Sequence, residues 1–276
     1  KLSSDKVLQI FSACLIELAS IEKPARIDIL TFNLQNLLSW LRKQPDAPRT
    51  KIAEYEYALL PIFRAQGRQQ DELIIYEMLR EDPAFFVSVV CDVYNPASGK
   101  SVQDKRSPEE IKSRALTADR VLNAWNTVPG VNGKAVDMEK LDLWIDSARR
   151  LLSDADRAEV GDQVIGRMLF RFPEDPADNV WPHIGLRQLL ERVKSKSIEN
   201  GIALAASSSE GTSVREAFAG GQLERNLQKK WQDRFAKLDE KWTRARDVCI
   251  AIADWWGMVA VEQDNYARRE RVQFSR

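Results

Sequence analysis

Histidine is almost missing from this chain, and with it most of the chemistry that needs imidazoles in pairs. His183 is the single histidine in 276 residues. A metal site of several imidazoles is therefore excluded, and a nucleophile–histidine–carboxylate triad has one candidate base. A ribonuclease arrangement of Arg five to seven residues ahead of His is excluded as well, because Pro176, Ala177 and Asp178 fill the positions it requires. Cysteine is scarce: Cys14, Cys91 and Cys249 lie far apart among apolar neighbours. An odd, sparse count offers neither a disulfide framework nor metal-ligand spacing, and fits a reducing, cytoplasmic setting. These thiols read as small buried hydrophobes rather than activated nucleophiles. No metal or cofactor is expected.

Net charge is lacking too. Forty-one basic side chains balance forty-one acidic ones, whereas a protein that neutralises phosphates usually carries a basic excess. No apolar run approaches a membrane span, Phe85 to Val90 covering only six positions, so no membrane partner is expected. The chain opens on Lys1 without a secretory signal, and the expectation is a segment of a longer polypeptide.

What the chain does have is helical periodicity, strongest towards its end. Leu223, Leu227, Trp231, Phe235, Leu238 and Trp242 recur at steps of three and four, and Val248, Ile252, Trp255 and Val259 follow. That spacing marks one face of a helix, and such faces need the preceding residues to cover them. Earlier stripes run through Val7 to Leu18, Ile27 to Leu41, Ile52 to Phe63, Ile111 to Trp125, Leu141 to Leu152, Val160 to Leu169 and Ile184 to Val193. Pro61 should kink or split its helix, because proline lacks the amide donor. Asp82-Pro83, Ser107-Pro108-Glu109-Glu110, Asp137, and Ser213 with Glu216 read as helix starts. No convincing strand pair and no regular repeat is visible. The prediction is all-α: an irregular helical bundle or stacked helical hairpins, about a dozen helices. A polar linker at 95–107 would divide an N-terminal subdomain, 1–94, from a C-terminal one, 108–276.

Reactive constellations are thin. Glu81-Asp82, Asp154 with Asp156, and Glu174-Asp175 sit at helix starts or in proline-bounded loops, where carboxylates serve as caps. His183 follows Pro182 at a helix start and reads the same way. Gly220-Gly221 lacks the Gly-Lys-Ser/Thr ending of a phosphate loop and reads as a bend. Basic groups occur at Lys194 and Lys196, at Lys229 and Lys230, and at Arg268 and Arg269. From Gln222 to Arg276 twelve basic face nine acidic side chains. A nucleic-acid surface would need these groups on one face.

Several short stretches carry a resemblance. They are Glu54-Tyr55-Glu56-Tyr57-Ala58-Leu59-Leu60-Pro61, Glu81-Asp82-Pro83-Ala84-Phe85-Phe86 and Asp162-Gln163-Val164-Ile165-Gly166, with Trp181-Pro182-His183, Glu199-Asn200-Gly201 and Gly220-Gly221-Gln222-Leu223-Glu224-Arg225. Together they resemble the C-terminal α-helical region of large, mostly uncharacterised bacterial multidomain proteins. Some of these place NTPase or effector modules upstream, in the manner of defence and signalling ATPases. The resemblance implies a sensing or scaffolding arm and assigns no chemical role to any residue. Where that pattern favours basic and aromatic residues around 207–214, this chain has serines.

The combined expectation is a non-enzymatic helical module working through contacts with a protein partner or with upstream domains of its own chain. The loops 95–107, 172–181 and 207–213 are its candidate surfaces. The alternative is a nucleic-acid-associated helical domain using Lys194, Lys196, Lys229, Lys230, Arg268 and Arg269.

Overall fold

The computed structural model describes residues 3–20, 24–64, 73–99, 106–209 and 220–274. Among them are twelve helices and one minimal hairpin, so the fold is all-α. The hairpin, β1 (Val131–Asn132) with β2 (Ala135–Val136), is antiparallel and only two residues per strand. It is the β-structure that the sequence pattern did not reveal, being too short to alternate. Contacts divide the chain into two compact units, Lys1–Asn95 with Ser101–Trp125, and Pro96–Lys100 with Asn126–Arg276.

The first unit holds α1 (Ser4–Ser20), α2 (Pro24–Leu41), α3 (Arg49–Arg64), α4 (Ile74–Glu81), α5 (Pro83–Val93) and α6 (Pro108–Ala124). Its core is built from Phe11, Leu34, Leu38, Ile52, Leu59, Ile75, Leu79 and Phe86, all nearly inaccessible to water. Helix α3 runs unbroken through Pro61, so the proline does not split it. Helix α5 starts as its sequence requires, with the Asp82 side chain accepting from the Ala84 and Phe85 amides and Pro83 in the first turn. A full capping box of Ser107 and Glu110 opens α6.

Two polar joints tie this unit together. Glu56 on α3 is fully buried, accepts from Arg42 Nε at 2.6 Å, and accepts the Ile75 amide at the start of α4 at 2.8 Å. Burial pushes its carboxyl above the usual range, while Arg42 and the amides pull the other way. Asp92 on α5 receives Arg114 and Arg106 from α6 and its approach, and the Tyr57 hydroxyl from α3. Burial first, then the Asp92 charge, raises the Tyr57 phenol. These bonds hold α6 to α3 and α5, so the compact first unit reaches past the expected boundary at 94. Within the expected linker, Ala97 and Ser98 bond to Asp156 and belong with the second unit. Residues 100–105 lie outside the described residues, as do Ser213 and Glu216.

The second unit contains α7 (Met138–Asp154), α8 (Ala158–Leu169), α9 (Ile184–Val193), α10 (Lys196–Ser208), α11 (Gln222–Lys237) and α12 (Thr243–Phe274). Helices α8 and α10 touch backbone to backbone. A Cβ on Gly166 would stand 2.1 Å from the Ile198 carbonyl oxygen, and one on Gly201 would stand 2.1 Å from that of Gln163. Only glycine permits such an approach. Beside the crossing, Asp162 accepts a two-pronged bond from Arg149 of α7 and one from Ser195, which caps α10. Glu199, also buried, pairs with Lys196 and with Arg244 of α12.

Helices α11 and α12 pack along their lengths, and Gly221 is their pivot. A Cβ there would meet the Ala260 carbonyl oxygen at 2.1 Å, and its amide donates to Asp264, which also pairs with Arg225. The stripe from Leu223 to Trp242 is not one helix: α11 ends at Lys237 and α12 begins at Thr243. Leu238 and Trp242 sit in the turn between them. Each short word quoted for the resemblance thus falls at a joint of the framework, where two elements meet or one is capped.

Candidate functional site

The loop 170–183 carries the densest polar chemistry in the second unit, and its groups hold one another. Asp175 accepts the Ala177 amide with one oxygen and the Ile184 amide, at 2.7 Å, with the other. His183 Nδ1 accepts from the Gly185 amide at 3.0 Å, making His183 the N-cap of α9. The carboxylate of Asp178 takes the Val180 amide and both prongs of Arg187, at 2.6 and 3.0 Å. The Arg187 guanidinium, 5% exposed, also donates to the carbonyls of Pro182 and Val180. Hydrogen bonds from Arg187 hold the Asp178 carboxyl below its usual range. The carboxylates of Asp175 and Asp178, His183 Nδ1 and the Arg187 guanidinium are all engaged in shaping the loop, as expected of caps.

An aromatic joint then fastens the loop to α11. Trp181 and Trp231 meet edge to face at 5.2 Å, with Phe170 beside both. The Trp181 indole donates to the Phe172 carbonyl. Arg234 lies over Trp231 at 4.5 Å and pairs with Glu174 at 2.9 Å. These two tryptophans are joinery, as the stripe position of Trp231 implied.

Outside this joint lies a hollow of about 470 Å³ between α11 and the loop, lined among others by Glu174, Trp181, Lys229, Lys230, Arg234 and Lys237. A second hollow, about 600 Å³, continues past Lys237 to Lys241 and Arg246. Lys229 and Lys230 of the sequence-predicted basic set are therefore brought together, joined by Arg234 and Lys237, which sequence reasoning missed. Their one-turn spacing along α11 was the available signal. Two of these cations are neutralised, Lys229 by Asp233 and Arg234 by Glu174.

The other predicted basic residues do not line either hollow. Lys194 is the left-handed residue that ends α9, Lys196 opens α10 and pairs with Glu199, and Arg268 and Arg269 are exposed near the end of α12. Of the thiols, Cys249 is fully buried, and that burial pushes it up to about 12. Cys14 and Cys91 are half-buried, and none of the three is in a disulfide. Among the described residues no group of three or more His, Cys, Asp or Glu side chains could hold a metal ion, and no helix is long and apolar enough to cross a membrane.

A second feature lies on α12. Its inner side packs on α9, α10 and α11 through Val248, Ile252, Trp256 and Ala260. Its outer side bears Ile250, Trp255, Met258, Val261 and Tyr266, exposed by 36–65%. Trp255 was expected in the covered stripe and instead stands at its outer edge, as does Leu223 on α11. Asp247, Asp254 and Glu262 are interleaved with this apolar row. A contiguous apolar row rimmed by charges on a rigid helix is the form of a contact surface.

Compared with protein-family models, curated proteins and solved structures, the chain matches none.

Proposed function

We propose that the chain is a helical interaction module of a larger bacterial protein, in which the outer face of α12 receives an α-helix of a protein partner. The observation that carries this reading is the exposed row Ile250–Trp255–Met258–Val261–Tyr266 on a helix anchored along its opposite side. An exposed apolar row on a helix whose opposite side is packed suits another helix laid along it. The polar groups of the 170–183 loop support the same reading, since they are occupied in building the scaffold. The role is non-enzymatic scaffolding or sensing, in a defence or signalling system of the kind the resemblance implies. Three cysteines outside any disulfide suit a reducing cytoplasm.

The test is site-specific photo-crosslinking in the intact parent protein, in its own cells. A photoreactive residue at Met258 or Val261 is expected to give a protein adduct, while one at Leu143, exposed on α7, gives none. Absence of any protein adduct from the α12 positions would overturn the reading.

One observation favours a second reading, association with nucleic acid: Lys229, Lys230, Arg234 and Lys237 share one hollow. Lys229 and Arg234 already pair with Asp233 and Glu174, so four phosphates are the most that would be met, and the logarithm of affinity should fall with that of salt at a slope no steeper than about −3.6. Low-salt affinity for an oligonucleotide that disappears on Lys230→Glu with Lys237→Glu would favour this reading over the first.

A further inference from the structure

The charge order along α12 says more about the helix that lies on it. We infer that this helix is α12 of a second copy of the chain, laid antiparallel about a two-fold axis at Met258. The inference rests on the interaction reading above and names the partner of that same face.

The outer face is acidic towards its start, at Asp247 and Asp254, apolar in the middle, at Trp255, Met258 and Val261, and basic towards its end, at Arg268 and Arg269. Positions on it are balanced about Met258, its most exposed apolar side chain. Trp255 and Val261 stand three residues to either side, Ile250 and Tyr266 eight, Asp247 and Arg269 eleven. A two-fold axis there brings each residue of a pair level with its counterpart in the other copy, and Asp247 and Arg269, about 40° apart around the helix, face each other across it, the self-complementary arrangement of a closed dimer.

Charge selects the direction. Antiparallel pairing puts Asp247 against Arg269 at both ends, whereas parallel pairing sets acid against acid and base against base. Asp254 and Glu262 also lie at equal distance from Met258, but eight residues advance a helix by about 80° beyond two full turns. They therefore occupy opposite edges of the stripe. Antiparallel helices bring like edges together, so Asp254 meets the Val261 and Asn265 edge rather than Glu262. From Asp247 to Arg269 the face extends roughly 34 Å, about three heptads of seam. The chain's zero net charge removes the long-range repulsion that keeps charged proteins apart.

Light scattering on the 276-residue chain across a dilution series tests the inference. A monomer–dimer equilibrium is expected. Met258→Glu should shift it to monomer, and Asp247→Arg or Arg269→Asp should each weaken it roughly tenfold. The double variant Asp247→Arg/Arg269→Asp should restore dimerisation, which a folding defect in either single variant would not do. A chain that stays monomeric at its highest soluble concentration, or a double variant no better than the single ones, overturns self-pairing. In the crosslinking experiment the expected Met258 adduct has twice the mass of the parent protein. An adduct with a different polypeptide overturns self-pairing while leaving the helix-receiving reading in place, and no adduct removes both.

Discussion

Arg187 and Asp178 form an unequal pair, and their inequality predicts which substitution hurts more. Arg187 is enclosed whereas Asp178 is 44% exposed, so a widowed Asp178 can turn to water but a widowed Arg187 cannot. Asp178→Ala is expected to cost about 3 kcal/mol, near the lower end for breaking a buried pair. Arg187→Met should cost about 1–2 kcal/mol, chiefly through the Pro182 and Val180 carbonyls it leaves behind. Urea unfolding of the two variants measures the difference, and the reverse order would show that the pair does not anchor the loop. The same carboxyl sets a pH dependence. Its folded value lies below its unfolded one, so its stabilisation is complete above the ordinary aspartate value of about 3.9 and is lost as pH falls through the lowered value. Glu56 acts with the opposite sign: its carboxyl is raised by burial, so the cost of enclosing its charge falls away as acid is added. A larger loss of hydrogen-exchange protection at the Val180 amide, which donates to Asp178, than at Ile75 is therefore expected on acidification. His183 and Asp175 were legible as caps from their place beside Pro182 and Pro176. Arg187 was not, because nothing in a helical stripe distinguishes a buried arginine until the loop that surrounds it is folded.

At the scale of elements, the joints between helices decide what the framework tolerates. Gly166→Ala or Gly201→Ala would drive a methyl into the facing backbone, so α8 and α10 must separate and the cost should reach roughly 2–3 kcal/mol. Gly257→Ala is the control. Its added carbon meets only the end of the Gln228 side chain, which can swing away, while α12 gains up to about 1 kcal/mol of helix propensity. Thermal unfolding should fall for the first two and hold or rise for the third. Equal gains at all three would mean that helix propensity, not backbone contact, governs the crossing. Helix starts were legible because capping is local: Asp82, Ser107 and Asp137 each bond amides within three residues. The division of the last stripe was not. Leu238 and Trp242 keep helical spacing with Trp231 while the backbone turns between them, and spacing alone carries no record of that turn.

For the whole molecule, surface charge separates the two readings of function. The predicted basic set divides among the ends of α9, α10 and α12 and the hollow beside α11, so a cooperative phosphate-binding stripe is not assembled from all six residues. Retention of a mixed-sequence oligonucleotide should accordingly be weak at low salt and vanish near physiological ionic strength, as a filter-binding titration would show. The α12 face predicts the contrasting behaviour. Its association is chiefly apolar and should survive that same rise in salt, with only the contribution of the Asp247–Arg269 contacts screened. A dimer that dissolves as salt rises would place the attraction in charge alone.

Read without coordinates, the chain already determined its class. Helical periodicity, proline and acidic caps, and the absence of alternating strands are properties of residues a few positions apart, and they leave an all-α fold as the consistent outcome. Which face of α12 is covered, how α6 joins α3 and α5, and which cations gather beside α11 depend on residues tens of positions apart. Burial and ion pairing are set by whatever arrives across the gap, so only the packed tertiary structure could turn Trp255 outward and bring Glu174 to Arg234.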